Sequence, residues 1–434
     1  MRTWRSWLAV LPAAALVLTA CDPGDDPAEE PVTEEPDLDE EAEEEPDDAE
    51  VDEEAADDVV RADADLVIWA DDLRTPVLEP FGDEFGDQNE VNVTVQEVPF
   101  DDIRDRLITA GPAGEGPDII IGAHDWLGEL VANGVIATVD LAGVEGELED
   151  IAVEAFTFEG QTYGLPYATE NVALYRNTDL VPEVPGSWDE LEETATALQD
   201  DDEVQQGLVW PTEPADPYHN YPVVTAYGGY VFGQTDDGTY DPSDLGIDSD
   251  GAIEAAQKFD ELITTGVLSP DISYDLMVDL FSGGDAAFAV TGPWALGDME
   301  GVPFEVTPIP DIEGGTPEPF VGVQGFMISA FAENELLAQT FLTDFMATEE
   351  AQIELFEAGT RPPALTAALE QVADDPNFEG FAEAAADGVP MPAIPEMASV
   401  WDAWTNAYEL IYEGAQEPEE AFSDAADQIR TLID

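Results

Sequence analysis

The sequence predicts an α/β protein that opens on a parallel sheet with helical crossovers and continues into a second, more helical unit. Three observations predict it. Short apolar runs alternate with helical spacings from Leu66 to Asn133. A capping box at Ser187 opens a new series of helices. The chain beyond residue 62, about 370 residues, is long enough for two domains.

Leu66-Val67-Ile68-Trp69-Ala70 is apolar throughout and reads as a buried strand. Leu73 to Phe85 has helical spacing of apolar residues. Val91 to Val98 alternates and reads as a strand, Asp101 to Ala110 as a helix, Asp118-Ile119-Ile120-Ile121 as a buried strand, and Asp125 to Asn133 as a helix. Strand and helix in this rhythm mean parallel strands with right-handed crossovers, and ligands of such sheets bind at the carboxyl ends of the strands. In the second unit, Ser187-Trp188-Asp189-Glu190 starts a helix that runs to about Leu198. Helical patterns cover 251–265 and 274–282, and Ala286 to Val290 is a buried strand ending at Gly292-Pro293-Trp294. Phe320 to Ala330 is strand-like. Helices are predicted at about 334–346, 349–357, 378–386, 397–414 and 418–432.

Before these elements comes a different kind of sequence. Arg2 and Arg5 precede an apolar run from Trp7 to Ala20, too short for a spanning helix and typical of an export signal. It stops at Leu18-Thr19-Ala20-Cys21, which looks like a lipobox, with Cys21 as the lipidated residue of a membrane-anchored, extracytoplasmic protein. Cys21 is the only cysteine, so no intrachain disulfide is possible. Residues 22–62 are nearly all Asp, Glu, Pro and Ala; they can bury nothing and repel one another, which predicts a disordered acidic tether able to reach on the order of 130 Å. A docking role for this tail is the alternative to a plain spacer.

The chain carries 101 acidic and 10 basic residues, a net charge of -91. Nucleic-acid binding, which needs a basic footprint, is excluded, and an anionic ligand is disfavoured. So acidic a surface with so little Lys suits a high-salt habitat, where screening removes self-repulsion.

Enzyme signatures fail. No glycine-rich phosphate loop is present, and His124 and His219 have no partner at metal-ligand spacing, so neither a cofactor nor a metal is expected. Carboxylates are too common here to identify or exclude a glycosidase pair. The aromatic residues say more. Trp69, Trp126, Trp210, Trp294, Trp401 and Trp404 fall at predicted element ends or on a late helix, beside Asp, Glu, Pro and Gly. A sugar ring stacks its C–H face on an aromatic ring and donates its hydroxyls to carboxylates, so this interleaving suits a neutral saccharide. For any one Trp, a place in the core is the more common fate.

Motifs in order narrow the reading. They are Leu66-Val67-Ile68-Trp69; Gly114-Glu115-Gly116-Pro117-Asp118-Ile119-Ile120; Ala123-His124-Asp125; Gly164-Leu165-Pro166-Tyr167-Ala168-Thr169-Glu170; Leu174-Tyr175-Arg176-Asn177; Gly292-Pro293-Trp294-Ala295; Pro319-Phe320-Val321-Gly322-Val323; and Met391-Pro392-Ala393-Ile394-Pro395-Glu396-Met397, running into Trp401. In this order the chain resembles the maltose/maltodextrin-binding proteins of ABC sugar importers, in the extracellular solute-binding class, from about Leu66 to the C-terminus.

The resemblance implies a periplasmic-binding-protein-like fold of two α/β lobes, joined by a hinge of crossing strands, with the ligand in the cleft between them. Mapped here, lobe one holds 64–169 and 326–371, and lobe two 173–320 and 376–434. It implies no catalysis, a monomer, a neutral maltodextrin-like oligosaccharide as ligand, and a membrane permease as partner. It matches Asp125 to a carboxylate that accepts from sugar hydroxyls and Glu170 to a cleft glutamate near the hinge. Asp216 falls where Glu is frequent, and Tyr218, Trp294 and Trp401 match stacking residues. Met391 matches a methionine lining the cleft, and Asp72, with Asp71 and Arg74, aligns with polar contacts at the first strand's exit. Gly122, Trp126, Asp402 and Thr405 depart from one branch of the family, and Trp126 and Trp404 are candidates to restore the lost aromatic area. His124 is expected to be a structural hydrogen-bonding residue. The alternatives that remain are a surface glycosidase and a binder of a non-carbohydrate ligand, such as a cation, on the same scaffold.

Overall fold

A computed structural model describes residues 61–141, 143–235, 239–373 and 376–433. The expected export signal, lipidated Cys21 and most of the tether lie outside the described residues. The tether boundary moves inward. Arg61 donates to the Gly116 carbonyl at 2.9 Å and to Asp118 at 2.8 Å, and the Ala62 N–H donates to Gln96, so these two residues belong to the folded part.

The first sheet is built on three parallel strands, in the spatial order Val93–Glu97, Leu66–Ala70, Ile119–Ala123. Ile68 faces Val95 on one side and Ile119 on the other. The two inner strands are buried at every position, which is why they read as unbroken apolar runs rather than alternating ones. The helices Thr75–Asn89 and Phe100–Ala113 make the crossovers. The sheet is mixed rather than wholly parallel. The ten-residue strand Phe320–Ser329 joins antiparallel to Ile119–Ala123, and Gly164–Glu170 pairs antiparallel with it in turn. Phe320–Ser329 arrives from about 200 residues along the chain, so no short crossover helix dictates its direction.

A second sheet runs Phe304–Thr307, Ala173–Asn177, Ala286–Thr291, Gln206–Val209. Its strands obey the two-residue period. Leu174 and Phe288 point into one core with Trp188, Trp210, Phe259 and Tyr408. Tyr175 and Ala289 point into another with Phe281, Met299 and Phe381. The first sheet has a core of its own around Trp69, Phe85, Phe156 and Phe326. The helix Trp188–Asp200 starts as its sequence foretells, with the Ser187 side chain accepting from the Glu190 N–H; the Glu190 carboxylate reaches back one residue further than a capping box requires, to the Gly186 N–H.

The chain passes between these cores where two segments run on without a break. Ala168 packs in the first core and Val172 in that of the second sheet, and along one strand Phe320 packs with the second and Val323 with the first. Asn171, at the first passage, donates to the carbonyls of Val172 and Phe381.

Candidate functional site

The carboxyl ends of the first sheet and segments of the second converge on one cluster. The strand Ile119–Ala123 runs into a short 3-10 turn, His124–Trp126. His124 is a tie-bar, as expected. Its Nδ1 accepts from the Val323 N–H at 3.0 Å, which leaves Nε2 to donate to the Met391 carbonyl at 3.2 Å. Burial pushes its pKa down to about 4, so the ring is neutral and joins three segments of the chain. Met391 itself is buried in the core of the second sheet.

Asp125 is only 6% exposed and accepts from the Trp401 indole N–H at 3.1 Å. Burial raises its pKa to about 6, against the opposing pull of that hydrogen bond and of Arg104. Glu170, 7% exposed, ends the strand Gly164–Glu170 and stands in a different environment. Burial again pushes upward, but Arg361, which grips one carboxylate oxygen, and Gln324, which donates to the other at 2.7 Å, outweigh it and hold the carboxyl below its usual range. Gly322 faces Glu170 because nothing larger fits: a Cβ there would lie 2.9 Å from Glu170 Cγ and 3.3 Å from the Tyr218 hydroxyl.

From the second sheet's side come Asp216, Tyr218, Trp294 and Trp401. Asp216 caps the helix Pro217–Ala226, accepting from the Tyr218 N–H at 2.8 Å while its other oxygen binds His219. Those partners hold its carboxyl below the usual range although desolvation opposes them. The Tyr218 hydroxyl donates to the Glu170 carbonyl at 3.3 Å. Its ring stacks on Phe320 (6.0 Å, 25°) and lies 6.1 Å from Trp294. Phe320 in turn meets Trp401 edge-on at 6.1 Å. Trp294 follows Gly292-Pro293 in a single 3-10 turn, with the Arg361 guanidinium over its ring at 5.3 Å. Trp294 and Trp401 both remain half-buried. A continuous path of contacts therefore runs from Asp125 through Trp401, Phe320 and Tyr218 to Glu170 and Trp294.

Other expected residues are placed elsewhere or differently. Asp72 is exposed, and its carboxylate accepts from the neighbouring Leu73 N–H rather than from any member of the cluster. The buried pair at that strand exit is Asp71 with Arg74, whose Nε meets the Tyr167 hydroxyl. Trp126 is not an open platform. It is nearly buried, packs on Phe100 at 4.9 Å, and covers Gly122 so closely that a Cβ there would come within 2.3 Å of its ring. The side chain of residue 126 thus fills the space that a side chain at 122 would take. Trp404 restores no exposed aromatic area, since it is wholly buried, as are Trp69 and Trp210. Arg361, Gln324 and His219 were not singled out from sequence. Glu170, the partner of both Arg361 and Gln324, lies far away in sequence, and His219 joins its near neighbour Asp216 to Thr291, 72 residues on. Only the positive charge of Arg361 in so acidic a chain hinted at a role.

The carboxylates of Asp125, Glu170 and Asp216 beside the half-buried rings of Trp294 and Trp401 make a lining suited to hydroxyls and C–H faces rather than to anions. Asp101 adds acidity at its edge. Its pKa is raised by partial burial and then by Asp216 and Asp102. Among the described residues no cluster of His, Cys, Asp and Glu is arranged to hold a metal ion.

The chain is similar to known proteins over most of its length. Residues 81–380 match the family described as bacterial extracellular solute-binding protein. The galactooligosaccharide-binding protein of Bacillus subtilis is 29% identical over 387 residues, 85% of this chain and 90% of its own length. The maltotriose-binding protein of Pyrococcus abyssi is 31% identical over 333 residues, 74% of this chain and 71% of its own length. The structure of the Thermus thermophilus maltotriose binding protein bound with maltotriose superposes with a TM-score of 0.78 at 31% identity, covering 85% of this chain and all of that one. With the family model matched over residues 81–380, more than half of the chain, this chain belongs to the bacterial extracellular solute-binding proteins.

Proposed function

We propose that this protein captures a neutral oligosaccharide of the maltodextrin type and delivers it to the permease of an ABC importer. The site is the cluster of Asp125, Glu170, Asp216, Tyr218, Trp294, Met391 and Trp401, with Trp126 shaping one wall. Asp125 and Glu170 accept from sugar hydroxyls; Trp294, Trp401 and Tyr218 stack on ring faces.

The observation that carries the reading is the contact path itself. Carboxylates from the strand ends of one sheet meet half-buried aromatic rings attached to the other, beside the two segments where the chain crosses between their cores. We take 64–169 with 326–371 and 173–320 with 376–434 as two lobes that close over the sugar about these crossings. Hinge closure of this kind is the transition of periplasmic binding proteins, and the ligand favours the closed state only through contacts it gains there. The names of the relatives, for maltotriose and for galactooligosaccharide, support an oligosaccharide, and the match to a maltotriose complex favours the α-glucan. Lipidation at Cys21 would hold the protein at the outer face of the membrane, on the acidic segment as a tether.

Titration of the purified protein with maltose, maltotriose, longer maltodextrins and galactooligosaccharides, followed by tryptophan fluorescence, tests the proposal. Saturable binding of maltodextrins, with no reducing ends released over time, is the expected result. Release of reducing ends would favour a glycosidase, and a response to calcium alone would favour a cation binder.

A further inference from the structure

The turn Thr360-Arg361 makes three connections that neither the sequence motifs nor the relatives' names assign. The helix Glu349–Gly359 ends on Thr360 in the left-handed conformation (φ 50°), a costly place for a β-branched residue, although a glycine stands immediately before it. The strain has a counterpart in contacts. The Thr360 hydroxyl donates to the Pro293 carbonyl, one residue before Trp294. Arg361 Nε donates to the Glu170 carboxylate, and the guanidinium carbon lies over the Trp294 ring, 5.3 Å from its centroid. Glu170 belongs to the first sheet and Trp294 follows a strand of the second. Three further contacts frame them: Gln324 on the far oxygen of Glu170, Tyr218 on its backbone carbonyl, and His219 edge-on to Trp294 at 5.8 Å.

We propose that Arg361 is a positioning residue for ligand binding. Held by Glu170 on one side, its flat guanidinium fixes the Trp294 indole in the orientation that the sugar stacks upon, and so couples the platform on one sheet to the crossing segment of the other. The proposal rests on the oligosaccharide reading above and adds a specificity element to it. The planar fork of Arg is required: a Lys at this position supplies charge to Glu170 but cannot both hold the carboxylate edgewise and cover the ring. Neutralising Glu170 is the simpler role for Arg361, and the two roles diverge in the Lys variant.

The experiment compares wild type, Arg361→Lys and Thr360→Gly. The protein is labelled with 5-fluorotryptophan, the Trp294 resonance is assigned by Trp294→Phe, and maltotriose is the probe. In Arg361→Lys the Trp294 fluorine signal of the sugar-free protein is expected to shift or broaden, while thermal unfolding remains cooperative. Maltotriose affinity is expected to fall about 10- to 100-fold, the size of effect seen when a supporting group behind metal ligands is removed. Thr360→Gly, which relaxes the backbone and removes the hydroxyl contact, is expected to shift the same resonance in the presence of an intact Arg361. An unchanged fluorine signal and unchanged affinity in Arg361→Lys would overturn the proposal and leave Arg361 as a counter-charge. Absence of maltotriose binding by the wild type would instead defeat the oligosaccharide reading, and the fluorine shift in the sugar-free protein would still report on the positioning role.

Discussion

The Trp401 indole N–H donates to the Asp125 carboxylate at 3.1 Å, although 276 residues separate the two in sequence. One belongs to the exit of a parallel strand in the first sheet and the other to the start of the helix Trp401–Tyr412. Burial raises the pKa of this carboxyl to about 6, and the bond from Trp401 opposes that rise without cancelling it.

Asp125 should therefore leave a mark on stability. Its folded pKa lies above the ordinary aspartate value, so the native state binds its proton more tightly than the unfolded chain does. Its contribution is most favourable below pH 4 and is lost as pH rises through about 6, a change of about 3 kcal/mol. Urea unfolding of wild type and Asp125→Asn between pH 4 and 8 checks this. The difference, wild type minus variant, is expected to fall from pH 4 to a little above pH 6 and to be flat from there to pH 8.

Replacing Trp401 by Phe removes the donor and keeps most of the apolar contact with Phe320 and Trp404. At pH 8 the buried Asp125 carboxylate then lacks its partner, and we expect a loss of about 1–3 kcal/mol in unfolding free energy. At pH 4, with Asp125 protonated, the loss should be smaller.

Trp294→Ala is expected to weaken maltodextrin binding by about 1–3 kcal/mol through lost stacking area, with little change in the thermal midpoint, since Trp294 is half-buried and not a core centre. Calorimetric titration beside a thermal melt separates the two effects.

Gly128 abuts the backbone of Ile394 and Pro395, where an added Cβ would lie at 2.4 Å. Gly128→Ala should force the helix Leu127–Ala132 away from that segment and cost about 1–3 kcal/mol, measurable by denaturant unfolding.

The net charge of -91 predicts that the thermal midpoint rises with molar salt as self-repulsion is screened. Melts in increasing NaCl check this, and a midpoint indifferent to salt would remove the high-salt reading.

The inner strands of the first sheet were legible because burial on both faces writes itself as an unbroken apolar run, as in Leu66–Ala70 and Ile119–Ala123. The helix Tyr274–Ser282 carried its own spacing and cap. The strand Gly164–Glu170 and the helix Pro217–Ala226 did not. The first holds a proline and two glycine or alanine positions, and the second is buried on most positions, polar His219 and Asn220 included, so it has no amphipathic stripe to show. In the site, Asp125, Glu170 and Trp294 could be named from ordered motifs, whereas Arg361 could not, because its partner Glu170 stands 191 residues away. Nor does a local pattern tell a platform from a core residue. Trp294 and Trp404 sit in similarly mixed sequence, yet one is half-buried and the other sealed.

The most direct test of the account is calorimetric titration of the folded chain with maltotriose. One saturable site per chain, strongly weakened in Trp294→Ala and in Asp125→Asn, is the predicted result. No heat of binding with maltotriose, longer maltodextrins or galactooligosaccharides, from a protein shown to be folded, would contradict it.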